Sequence, residues 1–99
     1  MSFVNTQPEM LAMAASNLHG VGSAIVAQNV AAAGPTTRVI PAAADEVSAL
    51  TATQFVAHAA MYQAVNAQAT AVHELFVSTV GASAVSYAAT EAANAVMIR

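Results

Sequence analysis

Gly34-Pro35-Thr36-Thr37-Arg38-Val39-Ile40-Pro41-Ala42-Ala43-Ala44-Asp45-Glu46 is the stretch that decides how this chain folds. Proline has no amide hydrogen and biases the residue before it toward extended backbone, so Pro35 and Pro41 together argue against one uninterrupted helix. On either side lies a long alanine-rich segment. The layout predicts an all-α chain forming an antiparallel two-helix hairpin in a single domain, 1–99. Helix 1 is expected over about 8–33, a turn over about 34–44, helix 2 over about 45–81 and a tail over about 82–99.

Upstream of the break, Thr6 and Glu9 have the spacing of a capping box, and Pro8 suits a first helical turn, where its missing donor is not needed. Leu11, Leu18, Val21 and Ile25 then recur along one stripe, with Ala14 filling the gap. Gly20 and Gly22 each weaken the helix by ~1 kcal/mol relative to alanine, and their expected use is to let another backbone come close. Glycine followed by proline at Gly34-Pro35 predicts the helix stop.

Downstream, Asp45 is the expected cap of helix 2, with Glu46 placing negative charge where the helix dipole favours it. Phe55, His58, Tyr62, Val65, Ala69, Val72, Phe76 and Val80 follow at alternating spacings of three and four, a row that carries the bulky aromatic side chains of this segment. The opposite row, Thr53, Ala57, Ala60, Ala64, Ala67 and Ala71, is small and apolar, which suits close approach of a neighbouring helix. After Val80 large apolar residues thin out, so the tail is expected to fray and to stay mobile until a partner orders it.

Composition sharpens the question of partners. Apolar residues make up 58% of the 99 positions and charged residues only 7%, against about a quarter in ordinary globular chains. Net charge is −3 and Arg38 and Arg99 are the basic residues, so no basic patch exists to neutralise phosphates and nucleic acid is excluded as a partner. Cysteine is absent, which removes disulfides and thiolate chemistry. The start has no cationic region followed by an apolar run before Pro8, so no general secretory signal is expected. Residues 10–37 and 47–73 are free of Asp, Glu, Lys and Arg for longer than a bilayer span. Asn17, His19, Gln28 and Asn29 in the first, and Gln54, His58, Gln63, Asn66 and Gln68 in the second, argue against membrane-spanning helices.

A hairpin helix has one neighbour and needs one apolar stripe, yet here bulky and small apolar rows coexist. Two thin helices cannot bury that much surface by themselves, so the pattern implies further helices from a partner, giving a bundle. A homodimer with the same packing meets the same requirement, and composition does not separate the two.

Catalytic patterns fail on inspection. His73-Glu74-Leu75-Phe76-Val77 starts like the H-E-x-x-H zinc motif but has valine where the second histidine belongs. Gly81-Ala82-Ser83-Ala84-Val85 lacks the last glycine of a nucleophile elbow, and Gly20-Val21-Gly22 completes no dinucleotide loop. Glu9, Asp45, Glu46, Glu74 and Glu91 form no working carboxylate pair beyond neighbours at a cap. The expectation is a chain that is not an enzyme and takes no cofactor and no metal.

Four features taken in order are more specific than any alone: the start Met1-Ser2-Phe3-Val4, the pair Pro8-Glu9, the run Pro41-Ala42-Ala43-Ala44-Asp45-Glu46-Val47-Ser48, and Tyr87-x-x-x-Glu91 in the tail. Together they resemble the mycobacterial PE family, named for its Pro-Glu pair, over essentially the whole chain. The chain stops near the end of that family's shared region, so a short form without a glycine-rich extension is expected. The resemblance implies a PE hairpin paired lengthwise with a PPE-family protein in a four-helix bundle. It further implies assembly in the cytoplasm, export folded through a type VII secretion system, and delivery to the cell surface, envelope or medium. Tyr87 and Glu91 map onto the family's secretion signal, and residues four apart on a helix share one face. An EspG-type chaperone is implied only indirectly, through the PPE partner. The residues expected to contribute to the partner interface are Leu11, Leu18, Val21 and Ile25 with Phe55, Tyr62, Val65, Val72 and Phe76. An alternative is an envelope-associated or pore-forming component of the mycobacterial outer membrane, suggested by the long uncharged helices.

Overall fold

The computed structural model describes residues 4–97. Met1, Ser2 and Phe3, the opening of the family pattern, lie outside the described residues, as does Arg99. Two helices account for most of the chain: α1, Pro8–Thr37, and α2, Glu46–Met97. The fold is all-helical, with long helices consistent with a hairpin.

α1 begins on Gln7, whose carbonyl accepts the amides of Met10 at 3.0 Å and Leu11 at 3.3 Å. Pro8 therefore occupies the first helical position, and Glu9 lies in the first turn, where negative charge suits the dipole. The expected capping box is not the arrangement found. The amide that Thr6 would have given to Glu9 is donated to Glu91, as is its hydroxyl.

Helix 1 does not stop at Gly34. α1 includes Pro35 and continues to Thr37. A proline in the last turn forfeits only its own bond back along the helix, a far smaller loss than in a helix interior. Just beyond it, the hydroxyls of Thr36 and Thr37 donate to the carbonyls of Ala32 and Ala33, each at 2.6 Å, as second donors to acceptors one turn earlier, and tie both side chains back onto the helix. The connection is correspondingly shorter than expected, residues 38–45.

Asp45 caps α2. Its Oδ2 accepts the Ser48 amide at 3.1 Å, its Oδ1 accepts the Ser48 hydroxyl at 2.6 Å, and its carbonyl accepts the Ala49 amide at 3.1 Å. Threonines within α2 return their hydroxyls to carbonyls one turn earlier, as Thr51 does to Val47 and Thr79 to Leu75, which satisfies the hydroxyls inside the helix at a slight cost to it. The helix boundary expected near residue 81 is also corrected, because α2 runs on to Met97. The alanine-rich segment after Gly81 contains no proline and has high helical propensity, which outweighs the shortage of bulky anchors.

The chain divides into two compact units. One is Ser23–Val72, a helical hairpin closed by the 38–45 connection; the other joins Met1–Gly22 with His73–Arg99, the two running antiparallel. Their cores are slight. Ala52 and Ala59 are buried in the first, Ala15 and Ala84 in the second, and no large side chain is fully buried among the described residues.

Candidate functional site

The burial pattern shows which face of α2 meets α1. In the Ser23–Val72 unit the protected row is Ser48, Ala52, Val56, Ala59, Gln63, Asn66 and Thr70; in the other unit it continues with His73, Val77, Val80 and Ala84. Each spacing is three or four, so this is a seam, but it lies mostly one residue beyond the bulky row. The small row Thr53, Ala57, Ala60, Ala64, Ala67 and Ala71 is exposed, so α1 is not the neighbouring helix it accommodates.

Side chains of the seam reach across to the α1 backbone and its one buried polar side chain. Gln63 Nε2 donates to the Asn29 carbonyl at 3.0 Å, and Tyr62, from the edge of the bulky row, donates its hydroxyl to Asn29 Oδ1 at 2.8 Å. In the other unit His73 Nε2 lies 2.7 Å from the Leu18 carbonyl, so the nitrogen carries the hydrogen and donates it. These bonds need close helix approach, which the alanines allow. Gly22 contributes directly: a Cβ there would lie 2.6 Å from His73 Cδ2. Gly20 has nothing of this chain within 4 Å in that direction, and at Gly22 the neighbour is a side chain rather than a backbone.

With the seam occupied by alanines, valines and polar residues, most of the bulky row is left outside, Val80 being the member it shares with the seam. Phe55 is 60% exposed, Tyr62 50%, Val65 61%, Val72 68% and Phe76 53%. On α1, Val21 and Ile25 are also exposed, whereas Leu11 and Leu18 are half-buried. Ala32, Thr36 and Val39 with Phe55, His58 and Tyr62 line most of an open, largely apolar cavity of about 250 Å³ in the Ser23–Val72 unit. Its shape and chemistry suit an apolar side chain rather than a charged metabolite. Among the described residues no group of three or more His, Cys, Asp or Glu side chains lies together as a metal site would require.

Tyr87 and Glu91 lie one turn apart near the end of α2. Tyr87 is exposed, and Glu91 is half-buried with Oε1 3.3 Å from the Thr6 amide and 3.0 Å from the Thr6 hydroxyl. No motif suggests this meeting, because nothing local ties residue 6 to residue 91.

The chain is helical, with a slight core of its own among the described residues and an exposed row of aromatic and branched side chains. Sequence comparison defines its family. The PE family profile matches residues 4–94, and the chain belongs to the PE family. It is similar to PE family protein PE13 of Mycobacterium tuberculosis, with 64% identity over 95 residues that cover 96% of each protein. It is also 53% identical over 94 residues to PE8 of the same species and 58% identical over 95 residues to the PE-PGRS family protein PE_PGRS33. Those two relatives are longer, and the match spans 34% and 20% of their respective lengths.

Proposed function

We propose that the chain is a non-enzymatic interaction protein, the PE subunit of a heterodimer with a PPE-family protein, whose helices complete a four-helix bundle with its own. The pair assembles in the cytoplasm and leaves through a type VII secretion system, with Tyr87 and Glu91 as its export signal. The observation that carries the reading is surface. The chain exposes 7574 Å², whereas a compact monomer of its mass exposes about 5200 Å². The excess of about 2400 Å² is on the scale of an extensive obligate interface. Much of it is apolar, and the row from Phe55 to Phe76 has the spacing by which one helix packs against another.

The test has two arms. Phe55→Asp and Phe76→Asp place a charge where the bundle is desolvated, and each is expected to abolish co-purification with the cognate PPE protein. Tyr87→Ala and Glu91→Ala are expected to preserve that pairing while stopping export. Recovery of the Asp variants with the PPE protein at wild-type yield rejects the interface, and unchanged export of the Ala variants rejects the signal.

A second reading, insertion into an envelope membrane, draws on α1, which by length and composition can cross a bilayer and is largely unburied over its most apolar window. Carbonate extraction of envelope fractions separates the two, since a peripheral heterodimer is released and an inserted helix is retained.

A further inference from the structure

We infer that Thr6 is a positioning residue for the Tyr87–Glu91 signal, which is then presented as a composite of both ends of the chain rather than as a linear stretch of α2. The inference rests on the reading of Tyr87 and Glu91 as an export signal.

Two donors separated from Glu91 by 85 positions converge on one carboxylate oxygen, the Thr6 amide and the Thr6 hydroxyl. Hydrogen bonds to a carboxylate are stronger than neutral ones, and partial burial reduces competition from water. Thr6 and Glu91 are both half-buried, although most neighbouring positions in the last turns of α2 are exposed. The contact is not a by-product of starting α1, because the Gln7 carbonyl and Pro8 already accomplish that. Nor does the surrounding sequence hold this turn in place by packing. From Ala88 to Ala95 the side chains are Ala, Thr, Glu and Asn, which give a helix little to lock its rotation.

Glu91 therefore anchors the last turns of α2 through its carboxylate, and the anchor sets the azimuth of Tyr87 one turn earlier. The Tyr87 side chain remains 47% exposed, available to a receptor, while the acidic group beside it is held by residue 6. A receptor that reads the pair meets an exposed phenol and a carboxylate whose orientation depends on the segment before α1. Threonine suits the position because one residue supplies both donors.

The experiment compares Thr6→Val, Thr6→Ser and Tyr87→Ala in the full chain, expressed in a mycobacterial host that exports it. Export is measured as the fraction in the culture filtrate, and amide hydrogen exchange is measured on the heterodimer purified with its PPE partner. Thr6→Val removes the hydroxyl at nearly constant shape. It is expected to lower export severalfold and to speed exchange over residues 88–95 by about tenfold, the factor set by loss of one hydrogen bond of ordinary net strength. Thr6→Ser should restore both, and exchange elsewhere in α1 and α2 should be unmoved. If Tyr87→Ala blocks export but Thr6→Val exports like wild type, the signal stands and the positioning role falls, whatever the exchange shows. If Tyr87→Ala itself exports normally, the signal reading fails and the positioning role fails with it.

Discussion

Gly20 and Gly22 are indistinguishable as letters in a helix, yet their surroundings give substitutions of opposite sign. A Cβ on Gly22 meets His73 Cδ2 at 2.6 Å and Nε2 at 2.7 Å, so alanine there forces the imidazole out and breaks its bond to the Leu18 carbonyl. Gly22→Ala is expected to destabilise by about 1–3 kcal/mol, the usual range for overpacking. Gly20→Ala enters open space and is expected to stabilise by about 1 kcal/mol through helix propensity alone. Urea denaturation of both variants in complex with the PPE partner checks this, and equal shifts of one sign overturn it. Asn29 makes the same point about context. As a polar letter it argues against a membrane span, but in the fold it is buried, accepting Tyr62 at its side chain and Gln63 at its carbonyl. Its role depends on residues more than thirty positions away, which no local pattern reveals.

Among the elements, the start of α2 is the feature most legible in the sequence, because a cap is decided within four residues. The Ser48 hydroxyl, and after it the Ser48 amide, hold the Asp45 carboxyl below the usual carboxylate range. Asp45 in the unfolded chain titrates at its ordinary value, so the cap's contribution is complete above that value and is lost as pH falls through the lowered folded one. NMR titration of Asp45 is expected to show the depressed midpoint, and Ser48→Ala, which removes the hydroxyl and keeps the amide, should move it part of the way back up; an unchanged midpoint would show that the Ser48 hydroxyl is not the main cause. Helix ends were less legible. Gly34-Pro35 is a strong stop signal, yet α1 reaches Thr37, because a proline in the last turn costs little and the two threonine hydroxyls fold back onto carbonyls one turn earlier. At the other end, alanine propensity carries α2 through a segment whose scarcity of bulky residues suggested fraying.

At the scale of the whole molecule, the exposed surface governs behaviour. With a core of four alanines and Asn29 among the described residues, the chain expressed alone is expected to melt without a cooperative transition. Co-expression with its PPE partner should produce a single sharp one. Calorimetry of the two preparations checks this, and a soluble monomer that melts cooperatively overturns the obligate pairing. The sequence by itself determined that the chain is helical, broken once near Pro35 and Pro41, capped at Asp45 and a member of the PE family, because propensity, proline chemistry, capping and motif order are local or linear properties. It also showed an excess of apolar rows. Only the tertiary structure decided which row of α2 lies against α1, because rows one residue apart share the same three-and-four spacing, and spacing carries no information about azimuth. The seam went to alanine, valine and serine with glutamine, asparagine, threonine and histidine, since only close approach lets Gln63 and His73 reach the opposite backbone. That choice left Phe55, Tyr62, Val65, Val72 and Phe76 outside. The meeting of Thr6 with Glu91 was decided the same way, by packing of segments that no periodicity relates.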